Sequence, residues 1–232
     1  MDLGKLTVIC GHYGSGKTNL SINLAIDAVK DVILADMDIV NPYFTSSEYS
    51  GILKSNGVKV ISPSFASTNL DVPALPASMY SLFSSECDVI IDAGGDAAGT
   101  AALGRFSGKI KERGYEMWYV TNMYRPMTAD PEDSADILKE IENTCGLKAT
   151  AVVNNSHLKE LTTVSVITDS LGYAKDIAAS ADIPLLFSTV PRRLLKELPK
   201  DENFYPVDVY VGTIWEGTHA KSNDQRGPVQ RL

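Results

Sequence analysis

Thirteen residues near the amino end constrain this chain most. Leu6–Cys10 is an uninterrupted apolar run. Gly11-His12-Tyr13-Gly14-Ser15-Gly16-Lys17-Thr18 follows it, and a helical pattern begins at Lys17 and runs to about Val29. A buried strand, a glycine-rich turn and a helix in that order form the context in which Gly-x₄-Gly-Lys-Ser/Thr cradles phosphates. The glycines let the backbone wrap closely around an anion, and the helix amino end favours negative charge there. Lys17 is expected to reach the β- and γ-phosphates, and the Thr18 hydroxyl to ligate Mg²⁺. Gly11, His12, Tyr13, Gly14, Ser15, Gly16 and Asn19 complete the expected contact set.

The rest of the chain repeats the strand–helix theme. Val32–Ala35, Val58–Ile61, Val89–Ile91, Met117–Thr121, Ala149–Val153 and Leu185–Phe187 read as further strands. They lack polar alternation, which suits strands covered on both faces. Helical patterns lie between most of them, at Thr100–Arg113, Pro131–Thr144 and Val164–Ala181. The alternation predicts an α/β, doubly wound, mostly parallel sheet with helices on both faces. One nucleotide-binding domain is expected over 1–212, with 213–232 a poorly ordered tail. Asn41–Ser55 and Ser62–Glu86, rich in Ser, Pro and Asn, are expected to form loops and short helices near the ligand.

Acids end two of the strands. Asp36 and Asp38 follow Val32–Ala35, and Asp92 follows Val89–Ile91 with Gly95 three residues on. Mg²⁺–nucleotide sites need acids at the carboxyl ends of neighbouring strands. Asp92 is the expected metal carboxylate, with Asp36 and Asp38 beside it. Asp38 is expected to orient or activate the attacking water, and the Gly95 amide to meet the γ-phosphate.

Composition narrows the classes further. The net charge of −8 disfavours bulk attraction to nucleic acid or an anionic membrane. Three dispersed cysteines and three histidines form neither a disulfide framework nor a Cys/His metal site. No apolar stretch approaches a membrane span, and no leader pattern opens the chain, so a cytoplasmic protein is expected.

The loop, Asp36-x-Asp38 followed by Asn41-Pro42, and Asp92-x-x-Gly95 together resemble the MinD/ParA-like (SIMIBI class) P-loop ATPases, which include the nitrogenase iron protein. The resemblance spans roughly Lys5 to Leu198. It implies a seven- or eight-stranded sheet, ATP and Mg²⁺ as ligands, and slow hydrolysis that drives a switch. It implies as partners a second copy across the nucleotide face, and a further protein or metalloenzyme. It also implies that Asn154 reads the adenine edge. The loop Ser188-Thr189-Val190-Pro191-Arg192 follows the last strand, and Pro191 and Arg192 are expected to pack on the base. His12 stands where the group usually has a signature lysine. Two alternatives stay open. Dethiobiotin synthetase-like ligases or kinases also lack that lysine, and Gly-x-x-Gly-Ser-Gly-Lys-Thr is similar to GTPase metallochaperones. Arg125 reads as a solvated loop residue, and Lys109, Lys111 and Arg113 as a solvated helix face.

Overall fold

A computed structural model gives the structure, with residues 4–38, 49–62 and 78–211 described. Asn41, Pro42, Tyr43, Phe44, most of the Ser62–Glu86 segment and the tail from Thr213 lie outside the described residues.

Eight parallel strands form one sheet: β1 (Leu6–Cys10), β2 (Val32–Asp36), β3 (Lys59–Ile61), β4 (Asp88–Asp92), β5 (Glu116–Thr121), β6 (Ala151–Asn154), β7 (Leu185–Pro191) and β8 (Phe204–Val207). Their order is β3-β2-β4-β1-β5-β6-β7-β8, and every pairing is parallel. The helices are α1 (Lys17–Ile26), α2 (Ser50–Ser55), α3 (Ser78–Ser81), α4 (Ala97–Gly104), α5 (Ser107–Arg113), α6 (Pro131–Cys145) and α7 (Val164–Ala181). This is the expected α/β P-loop NTPase fold.

Both sheet faces are apolar because successive side chains alternate between them. Leu6, Val8, Cys10, Met117 and Tyr119 enter one core with residues of α4–α7. Ile9, Trp118, Val120 and Phe187 enter the other with Leu20, Ile22 and Leu24 of α1.

Behind β5 lies a layer of hydroxyls. Tyr119 Oη donates to the Ser134 carbonyl at 2.8 Å, and Tyr173 Oη to the Thr128 carbonyl at 2.5 Å. Thr121 meets both Ser134 and Tyr173. Burial raises the pKa of both phenols, so they remain neutral donors.

Three sequence expectations change. The predicted helix over Thr100–Arg113 is two helices. Asp96 caps α4 by accepting from Gly99 N at 2.8 Å, and the chain breaks at Arg105–Phe106, where the Phe106 ring is buried. Arg113 is a clamp rather than part of a solvated face: its guanidinium donates to the carbonyls of Leu82, Cys87 and Lys5. No run in the sequence reads as the last strand, although the resemblance allows for an eighth. Pro206 interrupts its pattern, but β8 is an edge strand and tolerates a residue without an N–H.

Candidate nucleotide site

The strand order brings the carboxyl ends of β1, β2, β4, β5, β6 and β7 to one edge. The loop after β1 turns there: Ser15 N donates to the His12 carbonyl at 3.2 Å, and α1 starts from Gly16 in the left-handed region at φ 88°. That conformation suits glycine. Space demands it too, because a Cβ on Gly16 would stand 2.3 Å from Asn155 Nδ2. Gly11 lies against the Val120 carbonyl of β5.

Lys17 is 7% exposed, and its ammonium donates to the His12 carbonyl at 3.1 Å. Burial pushes its pKa down, and the charges of Asp92 and Asp38 oppose that shift. Asp36 and Asp92 are direct partners in the β2–β4 register. Burial raises the Asp92 pKa to about 6, against the pull of Lys17 and of hydrogen bonds from Thr18 and Ser21. Asp38 N donates to Asp36 Oδ1 at 3.0 Å. Gly95 closes this end, with its would-be Cβ only 2.6 Å from Lys17 Nζ and 2.7 Å from Tyr13 N.

A cleft of about 280 Å³ leads away from the loop. Lys17, Arg125 and Lys159 line it as cations, and Asp38 is the one carboxylate among its described lining residues. A chain of net charge −8 thus concentrates positive charge at one mouth. Tyr13, Gly14, Gly16, Thr18, Asn19 and Pro191, all expected nucleotide contacts, also line the cleft. No group of three or more His, Cys, Asp or Glu side chains able to hold a metal occurs among the described residues. A P-loop magnesium needs only one or two carboxylates beside phosphate and hydroxyl oxygens. Thr18 and the neighbouring carboxylate of Asp92 could supply that donor set.

Two predicted base contacts are displaced. Asn154 is turned away and 1% exposed: its amide donates to Ser170 Oγ at 2.9 Å and Ser188 Oγ at 3.1 Å. Its oxygen accepts from Ser156 N at 3.1 Å. The next residue faces the cleft instead, as the strand's period of two requires. Asn155 Nδ2 donates to the Ser15 carbonyl at 2.6 Å, and Asn155 Oδ1 accepts from Thr189 Oγ1 at 2.5 Å. Arg192 also leaves the cleft, because Asp208 captures its Nε at 3.1 Å. His12 supplies a carbonyl to Lys17, while its ring meets the Tyr13 carbonyl at 3.0 Å.

Sequence reasoning missed His157 and undervalued Arg125. Arg125 Nε donates to the Gly14 carbonyl at 2.9 Å, which holds it on the phosphate loop. His157 Nδ1 accepts from Lys159 N at 3.2 Å, so a neutral ring carries its proton on Nε2. Burial, then Arg125 and Lys159, lowers its pKa to about 4. Lys159 holds a left-handed φ of 53°, unusual for a residue with a side chain. Nothing in the letters marks either residue; both are made by the loops after β5 and β6.

No protein-family model and no curated protein matches the chain. Solved structures do share its fold. Cell division protein FtsY from Thermotoga maritima is 24% identical over 80% of this chain and 61% of its own, with a TM-score of 0.54. Signal Recognition Particle 54 kDa protein from Aeropyrum pernix K1, in complex with GDP, is 14% identical over 79% of this chain and 40% of its own, with a TM-score of 0.53. Signal recognition particle receptor FtsY from Elizabethkingia anophelis, in complex with GDP, is 17% identical over 80% and 57%, with a TM-score of 0.51. The chain spans 61% or less of the length of these three structures. These likenesses place the chain in the P-loop NTPase fold.

Proposed function

We propose that this chain binds a nucleoside triphosphate with Mg²⁺ and hydrolyses it slowly, as a switch read by a protein partner. The observation that carries the proposal is the buried Lys17 ammonium, set between the loop carbonyl of His12 and the charges of Asp92 and Asp38. A cation placed there, with Gly95 against it, is positioned for terminal phosphates. Thr18 and Asp92 would hold Mg²⁺, which neutralises charge developing on the phosphate oxygens. Asp38 would position the attacking water, and Arg125, fixed on Gly14, would add charge from within the same chain. Tyr13, 52% exposed at the mouth, is placed for contact with a partner protein, a second copy included.

We take the base to be adenine. Guanine presents two adjacent donors that a carboxylate accepts well, and among the described residues that line the cleft Asp38, at the phosphate end, is the one acid. Guanine is the second reading, favoured by the GDP in two structures that share the fold. Thermal shifts with Mg²⁺ plus ATP or GTP separate the two: a larger shift with GTP overturns adenine. Lys17→Ala should weaken the bound nucleotide by about tenfold or more. Asp38→Ala should slow phosphate release; unchanged turnover removes Asp38 from the mechanism.

A further inference from the structure

Helix α1 carries Asn19 and Asn23 one turn apart, so both side chains lie on one face. They grip the main chain just beyond β8. Asn23 Nδ2 donates to the Asp208 carbonyl at 2.8 Å, and Asn23 Oδ1 accepts from Asp208 N at 2.8 Å. Asn19 Nδ2 donates to the same carbonyl at 3.0 Å, while Asn19 Oδ1 accepts from Tyr210 N at 2.8 Å and Val211 N at 3.2 Å. Asn23 is 2% exposed and also donates to the Asn19 carbonyl at 2.7 Å. Two side-chain amides thus do for residues 208–211 what a neighbouring strand does in a sheet.

The result is an apolar stripe. Val207, Val209 and Val211, every second residue, line the cleft that Thr189 and Pro191 also line. Val209 is nevertheless 57% exposed, so its cleft-facing surface has little cover among the described residues. The phosphate loop and its cations do not need such a surface, whereas the flat face of a purine does.

We propose that residues 207–211 form the outer wall of the base subsite, and that Asn19 and Asn23 are positioning residues holding it there. The helix that presents Thr18 to phosphate would then also set the width of the base slot. This inference rests on reading the cleft as a nucleotide site, and its test separates the two. Calorimetric titration of the full chain with Mg²⁺ uses three probes: ATP, GTP and inorganic tripolyphosphate, which lacks base and sugar. Asn23→Ala releases the wall, and Val209→Ser removes an exposed contact without touching the core. Both variants should weaken the preferred nucleotide by about 5-fold or more. Tripolyphosphate affinity should stay within about 2-fold, because a general loosening of the site would move both ligands. Equal losses for both ligands overturn the wall, as does unchanged nucleotide affinity in either variant. A parent protein that binds neither ligand removes the nucleotide reading itself. One that binds only tripolyphosphate keeps the phosphate loop and removes the base wall.

Discussion

Asn155→Ala tests whether the phosphate loop is held in shape from the base side of the cleft. Asn155 is 4% exposed and joins two groups that are themselves buried, the Ser15 carbonyl and the Thr189 hydroxyl. Truncation breaks both hydrogen bonds and strands both buried partners, at about 1.5 kcal/mol apiece. We expect a stability loss of about 3 kcal/mol. Thr189→Val alone should cost about 1 kcal/mol, since it unpairs only Asn155 Oδ1. The double variant should cost about 2 kcal/mol less than the sum, because the hydroxyl stranded by Asn155→Ala and the Oδ1 stranded by Thr189→Val are then both gone. Urea unfolding followed by circular dichroism measures all three. Additivity within about 0.3 kcal/mol refutes the coupling, and so does an Asn155→Ala loss below about 1 kcal/mol.

Two other predictions follow from the cleft. His157 has a folded-state pKa of about 4 against an ordinary 6.5, so the unfolded chain takes up its proton first as pH falls. Its contribution lowers stability between pH 6.5 and about 4, by about 2 to 3 kcal/mol in all. Asp92 acts oppositely: with its pKa raised from 3.8 to about 6, it adds stability below 3.8 that is lost as pH rises through 6. His157→Asn should therefore lose less stability than the parent on acidification, and parallel urea-derived profiles would refute this. Gly95→Ala places a methyl where Lys17 Nζ is 2.6 Å and Tyr13 N is 2.7 Å away, so phosphate release should slow by about tenfold or more. Parent-like turnover would show that Gly95 does not press on the loop.

How much of this was legible depended on period and depth. The strands flanking the site were readable because both faces of the sheet are buried, leaving runs such as Val32-Ile33-Leu34-Ala35 without polar interruption. The acids at their ends were readable for the same reason, since Asp36 and Asp92 stop those runs. β8 was hidden because Pro206 conceals an edge strand. The cleft-facing asparagine is one residue later than expected: Asn154 and Asn155 are chemically identical, and only the facing of Thr121, Asn154 and Ser188 towards α6 and α7 tells them apart. Arg125 looked like a solvated arginine because its partner, Gly14, is 111 residues away in sequence. Arg113 was misread similarly, since its carbonyl partners sit at the ends of other elements.

The hydroxyl layer behind β5 has one more consequence. Tyr119, Thr121, Ser134, Tyr173 and Thr128 tie α6 and α7 to the sheet through groups that carry no charge near neutrality. Asp92, whose pKa burial raises to about 6, meets Ser21 of α1, and His157, whose pKa burial lowers to about 4, lines the cleft, so neither belongs to this layer. Titration of these two groups therefore changes charge outside the hydroxyl layer, which keeps its uncharged hydrogen bonds. The sheet insulates its scaffold from the proton traffic at its working edge.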